Sequence, residues 1–453
     1  MKNSTGDVKS NAQDNAAAHR RRAALADGPP EAFADFGSDK MIYDLRMGPQ
    51  GFFHEGSFFL AYQAAQAGGY AHPHVIRRDA DGRWSRPVRV GRVSVSNHHM
   101  APVLWADTRR HLHVLYNAHM GLNQSRHLVS AAPLEICRWV EGPLIAPSIS
   151  YPRILTVPDG RRILYYRVLG HMGYWTYKIS PDGASWDAPA TPLVDFDRDP
   201  DVPGDEWAGS YHSVALDRSG GGLHIAFVRW DERRRVNPLY KRFLNLWSRY
   251  DLYYLKLDLR TGRLFNIEGD RVERPVNRRM ARERCLVWET GERIVNMPSV
   301  LADAEDRPQF LFPVAGNQLD RCRFWFIRRE GGVWARHAVT GTDNIWNGSH
   351  LEQSADGGIT AFLIGRAPGH GELFYGGGVL EEWRSTDGGR RWSKVGGIEL
   401  PRGFLANNPK PIEDLAGRSL PRTLIFFGWK GPKAIPPAGP FRGRAYLWNG
   451  GHD

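Results

Sequence analysis

Cysteine is scarce in this 453-residue chain: Cys137, Cys285 and Cys322 are far apart and odd in number. No Cys-x-x-Cys pair occurs, which argues against a disulfide framework and a zinc ribbon. The three thiols read as small buried hydrophobes. Long apolar runs are also missing. No stretch approaches the roughly 18 apolar residues that a membrane-spanning helix needs. Residues 1–30 are polar and charged, without the apolar core of an export signal, so they read as a solvated, disordered tail. That absence leads us to expect a cytoplasmic protein with no membrane partner. Helical periodicity is equally weak, because few stretches keep a 3.6-residue apolar period for more than two turns.

What is present is 49 Gly, 30 Pro and 16 Trp, a mix that suits many short strands joined by tight turns. The composition argues for an all-β protein. The formal net charge is +11, yet the basic residues are spread over hairpins and not gathered on one helix. The densest cluster, Arg233-Arg234-Arg235 with Lys241, Arg242 and Arg249, reads as a loop insertion near 232–250. An acidic small molecule or polysaccharide accounts for the surplus charge, and no nucleic-acid partner is expected.

One unit recurs along the chain, opening on a polar or aromatic residue, often near a proline, followed by an apolar strand, a Gly/Asp turn and a second apolar strand. Copies begin at His99, Tyr151, Tyr211, Asn296, His350 and Asn408, and the segment from Phe52 to Tyr62 looks like a seventh. A second, more amphipathic strand pair follows each. Four strands per unit, at a spacing of about fifty to sixty residues, predict a seven-bladed β-propeller with four-stranded antiparallel blades, a single domain over 31–453. The N-terminal segment is expected to share a blade with the strands around Arg442–Trp448. Ser385-x-Asp-x-Gly-x-x-Trp392 is an Asp-box turn and reads as fold, not chemistry.

The opening residues His99, Tyr151, Tyr211, Asn296, His350 and Asn407 or Asn408 should share the mouth of the ring. The second strands return there through Asn117 to His119, Arg167, Arg229 and Arg366. This predicts a polar, cationic funnel. Hydrolysis of a glycosidic bond by the usual route needs two carboxylates, and the nearby acids Asp205, Glu206, Asp231 and Glu352 do not pair convincingly. β-Elimination at a uronic acid instead needs a neutralised carboxylate, a base for the C5 proton and an acid for the departing O4. Arg, His and Tyr supply all three.

The H-x-x-P strand start, the Tyr151-Pro152 strand pair ending in Arg167 and the Asp-box resemble the BNR-repeat propeller family that includes ulvan lyases and rhamnosyl-glucuronate lyases. The resemblance covers roughly residues 50–440. In those lyases two His about twenty residues apart and a Tyr and Arg sixteen apart form the site; here His99 and His119, and Tyr151 and Arg167, have these spacings. The resemblance implies catalytic roles for these four. Tyr211, His98, Arg229, Trp230, Asn296 and His350 are candidate contacts to an acidic glycan or oligosaccharide. No cofactor is required. Some relatives bind structural zinc or calcium; no ligand set stands out here, and His171 is the one residue to watch. We expect a lyase acting at O4 of a glucuronic acid, with rhamnose as a candidate neighbour, working on imported oligosaccharides as a monomer or simple homo-oligomer. Two rival readings remain, a glycosidase (α-L-rhamnosidase or sialidase-like) on the same scaffold and a non-catalytic carbohydrate-binding propeller.

Overall fold

The computed structural model describes residues 28–35, 41–65, 70–95, 97–196, 207–232, 236–244, 248–354, 356–367, 376–430 and 442–451. Most of the N-terminal tail, Asp205, Glu206 and Arg233-Arg234-Arg235 lie outside them. Among the described residues the protein is all-β, with one short α-helix, Arg278–Arg284, and a single 3-10 turn, His98–Met100. No helix there is long and apolar enough to cross a membrane.

The recurring units fold as antiparallel sheets. Strand Val103–Ala106 pairs with Leu112–Tyr116, and this with Arg126–Ser130 and Trp139–Glu141. The units opening at Ser299 and Ser349 are likewise four-stranded. Two units depart from four strands. Ser150–Thr156, Arg162–Arg167 and Trp175–Ser180 make a three-stranded sheet, where Val194 supplies only an isolated bridge to Trp175. Trp207–Leu216, Gly222–Glu232 and Arg249–Asp258 carry three further short strands. The basic insertion contributes a small hairpin, Val236–Asn237 with Arg242–Phe243, but Arg249 belongs to the third strand of the sheet.

The N-terminal strand Glu31–Asp35 pairs antiparallel with the C-terminal strand Gly443–Asn449, as expected. The sheet completed this way joins the next through a parallel pair, Gly51–His54 beside Phe404–Asp414. The two ends of the chain therefore lock together. First strands of successive units also touch: Gly51–His54 with Val103–Ala106, Val103–Ala106 with Ser150–Thr156, and Ser299–Ala302 with Ser349–Gln353. Second strands are almost wholly buried, and their alternating apolar side chains interleave with neighbouring sheets in the core.

The Asp-box acts as a turn. Ser385 Oγ accepts from Gly389 N–H (2.8 Å), Asp387 Oδ1 accepts from Arg391 N–H (2.9 Å), and Gly388 and Gly389 take positive φ. Trp392 donates to Gly389 O and packs edge-on to Phe326 of the preceding sheet. The same chemistry closes the turn at Ser180, Asp182 and Gly183. Cys285 and Cys322 are buried as expected, whereas Cys137 is exposed.

A cavity of about 350 Å³ is lined by first strands of several units, including Arg153, Val214, Val300, Leu351 and Glu413. Strong side-chain convergence lies beside it, around the segment Met41–Met47.

Candidate active site

His99, His119, Tyr151 and Arg167 come together. The ring centroids of His99 and His119 are 4.4 Å apart, and Tyr151 lies 5.3 Å from His99 and 5.1 Å from His119. The Arg167 guanidinium sits 4.7 Å from the Tyr151 ring and 5.2 Å from that of Tyr211.

Local geometry explains how each side chain arrives. His99 does not open a strand; it sits in the 3-10 turn His98–Met100, whose cap, Asn97, accepts from the His99 N–H at 2.9 Å. Pro102, without an N–H, follows the turn before the strand starts at Val103. Tyr151 occupies a bulge in its strand, where the pairing register shifts between Ser150 and Arg153. Its φ of 55° is in the left-handed region, which costs a bulky residue on the order of 1–2 kcal/mol. Such a conformation persists where surrounding contacts impose it, and functional sites are where it concentrates. Arg167 closes the second strand opposite Ser150.

The sequence reading missed Asp44 and Arg46, which place a carboxylate inside the cationic funnel it predicted. Asp44 is fully buried. It accepts from Arg46 Nε (2.8 Å) and Nη2 (2.7 Å) and lies 2.5 Å from His99 Nδ1. Because an ionised carboxylate only accepts, His99 carries its proton on Nδ1 and keeps a lone pair on Nε2. Burial works to raise the Asp44 carboxyl, but Arg46 and the two imidazoles outweigh it and hold it well below the usual range. The signal was available in sequence: Asp44 and Arg46 are the only charged residues in the otherwise apolar run Met41–Met47.

Lys410 ties down the backbone of this segment by donating to Asp44 O (2.5 Å), to Met47 O and to Gln50 Oε1 (2.5 Å). Tyr43 Oη donates to Asn408 O at 2.9 Å. The Asp44–Arg46 pair is therefore fixed by strands from the far end of the chain.

Burial, reinforced by His98 and Arg46, pushes the His99 imidazole well below its ordinary range despite Asp44. Burial, with Arg167 and Arg46, pushes His119 down to about 2. Both imidazoles are neutral at physiological pH. Burial and Tyr211 raise the Tyr151 phenol, so it stays protonated. Tyr211 shifts the other way: burial would raise it, but Arg249, Arg167 and Arg46 bring it down to about 8.

The other expected contacts divide. Tyr211 joins the cluster, 5.7 Å from Tyr151 between ring centroids. Trp230 stands edge-on behind Tyr211 at 6.5 Å and meets His171 at 4.6 Å. Arg229 points to the opposite sheet face, where it pairs with Asp231 and Asp251 and lies over Tyr250. The guanidinium on the Trp230 side is that of Arg249, its cross-strand partner, at 4.2 Å from the Tyr211 ring and 4.4 Å from that of Trp346. Arg249 was thus misplaced in the loop insertion: counting basic residues hides the one that strand alternation turns inward. His98 is buried behind His99, its Nε2 3.3 Å from Arg46 Nη2. Asn296 lines a small pocket with Asp44, Arg46 and Trp346 and also the larger cavity; His350 lines that larger cavity and lies 3.4 Å from Glu352.

Asp44, His98 and His99 place ligand-type atoms within 4.8 Å of one another. Arg46 Nη2 lies between them, 2.7, 3.3 and 3.1 Å from the three. A guanidinium already fills the position a cation would take, so in this arrangement the residues do not fit a bound metal. His171 stands outside this set, against Trp230.

Fold and cluster together define an all-β sheet-repeat protein with a buried site rich in arginine and imidazole. The chain belongs to the BNR repeat-containing family, whose model matches residues 57–342. It is 23% identical over 284 residues to an ulvan lyase of the PL25 type from Pseudoalteromonas sp. (strain PLSV), a match spanning 57% of this chain and just over half, 56%, of that protein. It is 25% identical over 415 residues to an ulvan lyase from Nonlabens ulvanivorans, covering 84% of each. The fold is similar to a solved PL25 ulvan lyase bound to -[GlcA(1-4)Rha3S]-, with a TM-score of 0.75, 19% identity, and 93% of this chain and 96% of that chain covered. It is also similar to the polysaccharide lyase Uly1, with a TM-score of 0.61 and 11% identity, covering 89% and 90%.

Proposed function

We propose that this protein is a polysaccharide or oligosaccharide lyase that breaks the bond at O4 of a glucuronic acid residue, with rhamnose as a neighbouring sugar, by β-elimination. The observation that carries this reading is Arg167. It is 0% exposed, and none of its three guanidinium nitrogens has a hydrogen-bond partner among the described residues. His119 Nδ1 beside it is equally unpartnered. A buried, unpaired cation is costly unless a ligand supplies the counter-charge. A uronate carboxylate fits both donors.

In this reading Arg167 and His119 hold the C6 carboxylate, so that charge developing on it in the transition state is stabilised. His99 Nε2, neutral and turned by Asp44, accepts the C5 proton. The electron pair of that C–H bond forms the C4–C5 double bond, the C4–O4 bond breaks, and the Tyr151 phenol gives its proton to the departing O4. Asp44 stabilises the imidazolium formed on His99. Tyr211 and Arg249 form the wall on the far side of the sugar. No cofactor enters any step.

A hydrolase on this scaffold finds less support, because Asp44 is the only carboxylate in the cluster among the described residues and is committed to Arg46 and His99. Seven groups of antiparallel strands, with the chain ends paired, favour a ring of seven blades with this site at one mouth. The test is incubation with glucuronate-containing oligosaccharides. Elimination gives the near-ultraviolet absorbance of a conjugated unsaturated uronate; new reducing ends without it would mean hydrolysis.

A further inference from the structure

The cavity of about 350 Å³ begins where the catalytic cluster ends. Its lining follows the first strands onward from the cluster, with Arg153 beyond Tyr151 and Ser213 beyond Tyr211. Leu45, Asn296 and Met297 line both this cavity and the small pocket that holds Asp44, Arg46 and Trp346. They form the partition between the two. Arg218 and Ser419, exposed at the turns that end two of these strands, mark the way in. The cavity therefore opens away from the reacting groups. Its volume falls at the lower end of small-molecule sites, roughly 300–1,000 Å³.

Most titratable side chains along its wall are engaged elsewhere. Lys410 donates to Asp44 O, Met47 O and Gln50 Oε1. His212 lies between Tyr165 Oη (2.6 Å) and Ser210 Oγ (2.8 Å). Arg218 Nη1 donates to Asp303 O at 3.4 Å. Arg153 and Glu413 differ. Neither side chain makes a hydrogen bond or an ion pair among the described residues, although each feels the other's charge. Burial lowers the Arg153 guanidinium and raises the Glu413 carboxyl to about 7, yet both keep some accessible surface. On groups so removed from bulk water, that surface opens on the cavity. Asn296, only 5% exposed, offers its amide to no partner among the described residues. His350 Nε2 is likewise buried there without a hydrogen bond.

A guanidinium held out of water without a counter-charge is costly, and its planar fork matches a carboxylate. Glu413 opposes a second negative charge on the ligand, which disfavours a dianion such as sulfate. In either protonation state it can bond a hydroxyl, as can the Asn296 amide. Val214, Val300 and Leu351 add apolar surface for the C–H faces of a small ring.

We infer that this cavity is a second ligand site, separate from the catalytic cluster, for a small hydroxylated monocarboxylate such as a single sugar acid. Arg153 holds the carboxylate, and Glu413 and Asn296 hold hydroxyls. Such binding needs no turnover and is independent of the elimination reading.

Calorimetric titration of the Arg167→Met protein with D-glucuronate tests it, because that variant takes the Arg167 guanidinium out of the catalytic cluster. Saturable one-to-one binding is expected, with no displacement by equimolar sulfate. D-Glucose, which lacks the carboxylate, should bind at least about tenfold more weakly. Adding Arg153→Met should weaken glucuronate binding by roughly ten- to a hundredfold, the range for a hydrogen bond to a charged group. Arg153→Lys keeps the charge but not the fork and should weaken it about tenfold at an unchanged melting temperature. The lysine variant carries the test if the methionine variant fails to fold. Absence of binding to the Arg167→Met protein overturns the proposal. So does an affinity that the Arg153 variants leave unchanged, or one that glucose or sulfate matches.

Discussion

His99 Nδ1 lies 2.5 Å from Asp44 Oδ2, a contact between residues 55 positions apart that sets which nitrogen of the imidazole faces the ligand. In the proposed mechanism Asp44 is a positioning residue with an electrostatic duty. Asp44→Asn should lower kcat by on the order of 10²-fold with little change in KM, the range seen when such orienting partners are removed. Because the variant also leaves Arg46 buried without its carboxylate, its melting temperature should fall. A variant with lowered stability and intact kcat would remove Asp44 from the mechanism.

Arg167 predicts an opposition between stability and activity. Its buried guanidinium has ring contacts but no hydrogen-bond partner among the described residues, so Arg167→Met should raise the melting temperature, by about 1–3 °C, while turnover is lost. Arg167→Lys keeps a charge but not the planar fork and should lose about 10²-fold in kcat/KM. Full activity in the lysine variant would show that the carboxylate is held elsewhere.

Above pH 8 the site should weaken. Tyr211, brought down to about 8 by three guanidiniums, loses its proton as pH rises and places a negative charge where the uronate must bind. KM should therefore climb on the alkaline side, and Tyr211→Phe should flatten that limb. An alkaline limb unchanged in the phenylalanine variant would assign it to another group.

Stability should fall on the acid side first. The folded protein holds His119 at about 2 and His127 and His171 at about 4, all through burial, below the ordinary imidazole value. The unfolded chain thus binds more protons below pH 6.5, so stability is full above it and declines as pH falls towards the folded values. Each such histidine contributes up to about 1.4 kcal/mol per pH unit. Melting temperatures measured from pH 7.5 to 5 should drop steadily below 6.5; a flat profile would contradict neutral buried imidazoles.

Much of this was legible in the chain because repeats report on themselves. Apolar strand pairs and Gly/Asp turns mark the sheets, and matched positions within them mark His99, His119, Tyr151 and Arg167. What escaped depends on contacts with no local period. Asp44 and Arg46 sit in an irregular segment pinned by Lys410, more than 360 residues away in sequence. Arg229 and Arg249 are both strand arginines beside aromatics; only cross-strand register decides that Arg249 faces Tyr211 while Arg229 turns to Asp231 and Asp251. His350 stands second in its strand, close to where the repeat puts it, yet it lines the larger cavity.

The most direct test of the account is the fate of oxygen when a glucuronate oligosaccharide is cleaved in water enriched in heavy oxygen. Elimination predicts two products whose masses sum to the substrate's, one bearing the unsaturated uronate, with no heavy oxygen incorporated at cleavage and none of this seen with Tyr151→Phe. Products heavier by one labelled water would contradict it.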